Sequence, residues 1–166
     1  MRNRTLFATI CATTGLALLL GAGSAAASPC VYAIGPATPI QFAPNPETGL
    51  IELTVPLTIG ANAFTADLEV AILGFLEVGD DGYPRRAVVT HAWRIRENNL
   101  KLDWVGEAAT VPTGEPNQIY YRLRLDLATS NGRYDAGTLF IEGIFNFDGT
   151  GDARSFFGKL CSRGNA

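Results

Sequence analysis

The chain is poor in the residues from which most enzymatic and metal sites are assembled. Among its 166 residues there is one histidine, His91, together with three cysteines and a single methionine. A metal site built on one histidine needs carboxylate or thiolate partners at ligand spacing, and none surround His91, so neither a metal nor another cofactor is expected. No GxSxG elbow, HExxH pair, glycine-rich phosphate loop or CxxC couple occurs. Carboxylates such as Asp67, Glu69 and Glu142 carry the groups needed for sugar cleavage, but nothing in their spacing separates them from ordinary surface charge. A basic surplus is missing as well, with 13 Lys and Arg against 16 Asp and Glu. That argues against nucleic acid as a partner, because phosphate counterions are displaced by a basic face.

What the N-terminus does have is a secretion signal in three parts. Arg2 and Arg4 form a basic start, Leu6 to Leu20 an apolar stretch, and Ser24-Ala25-Ala26-Ala27 a small-residue exit. The stretch falls short of the roughly 20 apolar residues that cross a bilayer, and Thr9, Thr13, Thr14 and Gly15 dilute it. Pro29 ahead of Cys30 disfavours lipid attachment. The reading is therefore a cleavable signal over 1–27 and one domain over 28–166, secreted or periplasmic. Loss of Arg2 and Arg4 moves the formal charge from −3 to −5.

Cleavage also removes Cys11 and leaves Cys30 and Cys161, one near each end of the domain. Two thiols in an oxidising compartment pair, so a disulfide between them is expected.

From Leu50 onward apolar residues recur with period two, the mark of strands with one buried face. Ile51, Leu53, Val55, Leu57 and Ile59 form one such face, and Phe64, Ala66, Leu68, Val70 and Ile72 the next after a turn at Gly60. Pro56 has no amide hydrogen to give a ladder, so its strand is expected at an edge or a bulge. Further faces comprise Ala87 to Ile95, Leu100 to Trp104, Ile119 to Leu127 and Leu139 to Phe147. A last strand runs to Cys161 and a short first one lies near Val31 to Ile34. The connections are too short for crossovers, so the fold class is all-β: an antiparallel up-and-down barrel or two-sheet sandwich of about eight strands, its termini joined by the disulfide. An outer-membrane barrel has the same alternation with its apolar face outward. The polar end Ser162 to Ala166 and the apolar Val88, Ala92, Phe140 and Ile144 on the would-be lumen face make membrane insertion the weaker reading.

Three groups stand out against this background. His91 shares a face with Val89 and Trp93, and Tyr121 is on the apolar face of a later strand; a hollow barrel would offer these four as the wall of a small apolar ligand's site with one polar anchor. The segment Asn146 to Asp152 has the oxygen spacing of half a calcium loop but places Phe157 where the bidentate Glu belongs, so a hairpin turn is preferred. Arg94, Arg96, Arg122 and Arg124 make either a cationic stripe for an acidic glycan or ordinary cross-strand ion pairs. The function expected is that of an exported, non-enzymatic binding protein, with a small apolar ligand inside or a glycan or protein partner on its surface. Alternatives are a structural or adhesive cell-surface component that assembles through strand edges, and an enzyme with a barrel-interior site near His91. The oligomeric state is not readable.

Overall fold

The computed structural model describes residues 29–162, so the proposed signal over 1–27, with Cys11, lies outside the described residues, as does the end of the chain after Ser162. Nine strands follow in order: β1 (Cys30–Ile34), β2 (Ile40–Phe42), β3 (Ile51–Ile59), β4 (Asn62–Val78), β5 (Pro84–Ile95), β6 (Leu100–Pro112), β7 (Gln118–Ser130), β8 (Tyr134–Asn146) and β9 (Gly151–Ser162). From β3 to β9 each pairs antiparallel with the next. β1 then pairs with both β9 and β3, closing the sheet into a ring. Of the two architectures the alternation allowed, the protein is the barrel.

β2, which the sequence reading missed, explains how the ring closes. β1 runs along β9 from Cys161 to Phe157, and β2 continues along the same strand from Ala153 to Gly151. Together they form one stave interrupted at 35–39, where the Gly35 amide still donates to the Phe156 carbonyl at 3.1 Å. β3 meets this stave only at Ala33 and Ile34, and again at the bridge between Pro44 and Ile51. Pro56 sits opposite the interruption. Its cross-strand neighbour Thr65 sends its amide the other way, to the Glu97 carboxylate at 2.8 Å, so no ladder bond is lost by having proline here.

The inner face follows the period-two pattern. Leu57, Ile95, Leu102, Leu125, Leu139, Leu160, Trp93 and Trp104 are the largest fully buried side chains. They fill the half of the barrel nearest the disulfide, where Trp93 and Trp104 lie 5.0 Å apart between ring centres. The outer face is wet and charged: Arg94 pairs with Asp103 at 2.7 Å, Arg96 with Asp67 at 2.6 Å and Arg86 with Glu107. Exposed pairs of this kind contribute about 0–1 kcal/mol each, so they indicate orientation more than they hold the fold. Two glycines permit close packing of the staves. A Cβ on Gly106 would stand 2.1 Å from the Arg124 carbonyl, and one on Gly143 would stand 1.9 Å from the Asp152 carbonyl.

Cys30 and Cys161 are directly opposite each other in the β1–β9 register and are joined by the disulfide, with Cα atoms 4.0 Å apart. A bond of this kind is consistent with an oxidising, extracellular compartment.

Candidate functional site

The other half of the barrel is not filled. A cavity of about 90 Å³ lies there, opening toward the loops at 43–50, 79–83, 113–117 and 147–150. Val89, Leu123 and Ile141 form its walls, His91 and Phe156 its floor, and Ile40, Phe42, Ile72, Phe75 and Phe145 its upper part. Its surface is apolar except for three groups: His91, Thr110 and Tyr121.

Two of those groups are already engaged. The Tyr121 hydroxyl donates to the Asp152 carbonyl at 3.0 Å, and the Thr110 hydroxyl donates to the Pro84 carbonyl. Gly143, opposite Tyr121 in register, leaves the room for that phenol. Burial, followed by the nearby charges of Asp152 and Tyr120, pushes the Tyr121 phenol far above its ordinary range. His91 differs. It is 3% exposed, and its Nδ1 has no hydrogen-bond partner. Burial lowers its pKa to about 3, against a small opposing effect of the Ala92 backbone. The ring is thus neutral near pH 7, with one N–H and one lone pair. Its faces are set by aromatic contacts, with Trp93 and Phe156 each 6.3 Å away in edge-on geometry.

The structure therefore brings Val89, His91 and Tyr121 to one cavity. Trp93 lies apart from them: it is fully buried in the packed half, stacked 5.4 Å from Phe156, and is not among the residues that line the cavity. Residues on one face of a strand are separated by nearly 7 Å along its axis, so a shared face does not mean a shared depth.

Phe75 was missed for a different reason. Leu73 is an extra residue between the pairs Ile72–Val89 and Gly74–Val88, and this bulge returns Phe75 to the inner side, opposite Ala87. Phe42 and Ile40 were missed with β2. Beyond Val70, β4 leaves β3 behind and pairs with β5 alone; here Leu73, Phe75, Leu76 and Val78 are more than half exposed.

The remaining candidates resolve into structure. Asp148 accepts from the Thr150 amide and hydroxyl and caps the 147–150 turn. No group of three or more His, Cys, Asp or Glu among the described residues is arranged to hold a metal. Arg94, Arg96 and Arg122 are all in ion pairs, the last with Glu142 at 3.4 Å. Asp67 is held near 2 by hydrogen bonds from Arg96 and then Thr54, so it stays a fixed anion and has no proton to give. No family model, curated protein or solved structure matches the chain.

Proposed function

We propose that the protein is an exported binding protein that holds a small apolar ligand in the open half of its barrel. The observation that carries this reading is an apolar cavity with only three polar side chains in its lining, His91, Thr110 and Tyr121, the last two already spent on backbone carbonyls. Ligand sites commonly have this form, with apolar walls and few polar anchors. The size favours a modest occupant. Drug-sized sites enclose about 300–1,000 Å³, whereas a dry cavity of about 150 Å³ takes up benzene. At about 90 Å³, the space suits one ring or the end of a chain. Proton transfer is less well supported, since a histidine held down to about 3 is a feeble base near neutral pH. Ion pairs around the outer wall support a barrel bathed in water.

Calorimetry and tryptophan fluorescence with benzene, indole and octanol test the reading. Saturable binding is expected, and Val89→Trp, which fills the cavity, abolishes it. If no probe saturates, or if the filled variant binds equally well, the cavity is not a ligand site.

One further observation favours assembly as a second reading. The part of β4 beyond Val70 has no neighbour on its β3 side and exposes Leu73, Leu76 and Val78, an apolar strand edge of the kind that pairs with another chain. Sedimentation of the wild type against Leu73→Lys/Leu76→Lys tests it: a concentration-dependent oligomer lost in the variant supports assembly, and a monomer in both removes it.

A further inference from the structure

The two ends of the barrel differ in charge. Around the cavity's mouth, the connecting segments 43–50, 79–83, 113–117 and 147–150 carry Glu47, Asp80, Asp81, Glu115 and Asp148 and no lysine or arginine. The hairpins at the disulfide end, 60–61, 96–99 and 131–133, carry Arg96, Glu97 and Arg133. The acidic character of the mouth is not cancelled locally. Of its five carboxylates, only Asp81 meets a cation, Arg85 at 2.6 Å, and the adjacent Arg86 is committed to Glu107. Glu47, Asp80, Glu115 and Asp148 have no ion-pair partner among the described residues.

An acidic cluster alone is solvated surface. Here it encircles the entrance to an apolar cavity whose floor holds a 97%-buried side chain with an unpartnered nitrogen. A molecule that fills the cavity must leave its outer end among these carboxylates. A low-dielectric wall beside the rim strengthens their field relative to open water. Arg85, paired with Asp81 through one guanidinium nitrogen, stands beside this rim, but the carboxylates outnumber it, so an anionic headgroup such as a fatty carboxylate is repelled and an ammonium group attracted.

We propose that the cavity takes cationic amphiphiles, the apolar chain entering the barrel and the positive group resting at the acidic rim. The proposal rests on the cavity being a ligand site, and adds the class of ligand.

Three probes with the same eight-carbon chain separate the two claims: octylammonium, octanol and octanoate, titrated calorimetrically into the protein with its disulfide intact. Octylammonium is expected to bind at least about tenfold more tightly than octanoate at low ionic strength, with octanol between them, and the spread is expected to shrink in salt. The variant Glu47→Gln/Asp80→Asn/Glu115→Gln, altered only at exposed side chains, is expected to retain octanol binding and lose the preference for the cation. Tetramethylammonium, which has the charge without the chain, is expected not to bind. If all three chains bind alike, or if octanoate binds best, the charge inference falls while the cavity reading stands. If tetramethylammonium binds as well as octylammonium, the rim is a general cation surface and the proposal fails. If nothing binds, the cavity reading fails with it.

Discussion

The burial of His91 makes the fold sensitive to acid already between about pH 7.5 and 5, above the range of ordinary carboxylates. The imidazole is lowered to about 3 from an ordinary value of 6.5, so between those two values the unfolded chain takes up a proton that the folded barrel refuses. Stability is therefore whole above about pH 6.5 and declines as the pH falls toward 3. Taking the pH from about 7.5 to about 5 populates the protonated unfolded form roughly thirtyfold over the neutral one, at a cost of about 2 kcal/mol. Carboxylates with lowered values, such as Asp67 and Asp103, are largely ionised at pH 5 in both the folded and the unfolded chain, and lose their contribution only further down. Urea unfolding followed by tryptophan fluorescence at the two pH values measures the difference. The wild type is expected to lose about 2 kcal/mol and His91→Leu, which keeps an apolar floor without a titrating group, almost nothing. An imidazole resonance unchanged down to about pH 4 is the direct counterpart. Equal losses in wild type and variant, or no loss in the wild type, would refute the assignment of acid sensitivity to this residue.

Two further outcomes follow from the packing and the cross-link. Reduction of the disulfide, or Cys30→Ser/Cys161→Ser, releases a constraint across a separation of 131 residues. It is expected to lower stability by up to about 5 kcal/mol on the chain-entropy account and to steepen the urea dependence as the unfolded chain expands; an unchanged midpoint would contradict this. Gly143→Ala drives a methyl group into the Asp152 carbonyl and displaces the Tyr121 phenol, with an expected loss of about 3 kcal/mol. Gly74→Ala, on open backbone with nothing within 4 Å, is expected to stay within about 0.5 kcal/mol of wild type, and similar urea midpoints for the two variants would sink the distinction.

The sequence announced its barrel wherever one face was apolar and the other wet, because that contrast is the pattern that period two records. Leu53, Val55 and Leu57 on β3, and Leu123 and Leu125 on β7, were readable for this reason. Pro56 suggested an edge or a bulge; β3 instead pairs with β4 without a bulge and lacks a partner only on its other side, between Thr58 and the bridge at Ile51. The pattern failed at Ala71 to Val78, where bulges shift the parity and both faces carry apolar residues. It failed at β2, three residues among prolines, which exist as a strand only because β9 offers them an edge. Of the site, the face that His91 shares with Val89 was legible. The height at which packing ends and space begins was not, since that depends on the stagger of eight staves and on the bulk of Trp93, Trp104 and Phe156 meeting from different strands.

The link between Cys30 and Cys161 also changes what the chain is as a topological object. The Ser162 amide donates to the Pro29 carbonyl at 3.1 Å beside it, so the domain's beginning and end are neighbours in space as well as in bonding. In its oxidised form the stretch from Cys30 to Cys161 is a closed loop folded into a closed sheet. A protease that cuts one exposed turn opens that loop without detaching a piece, and the two new ends remain tethered through the opposite pole of the barrel. A single nick relocates the termini and leaves one molecule.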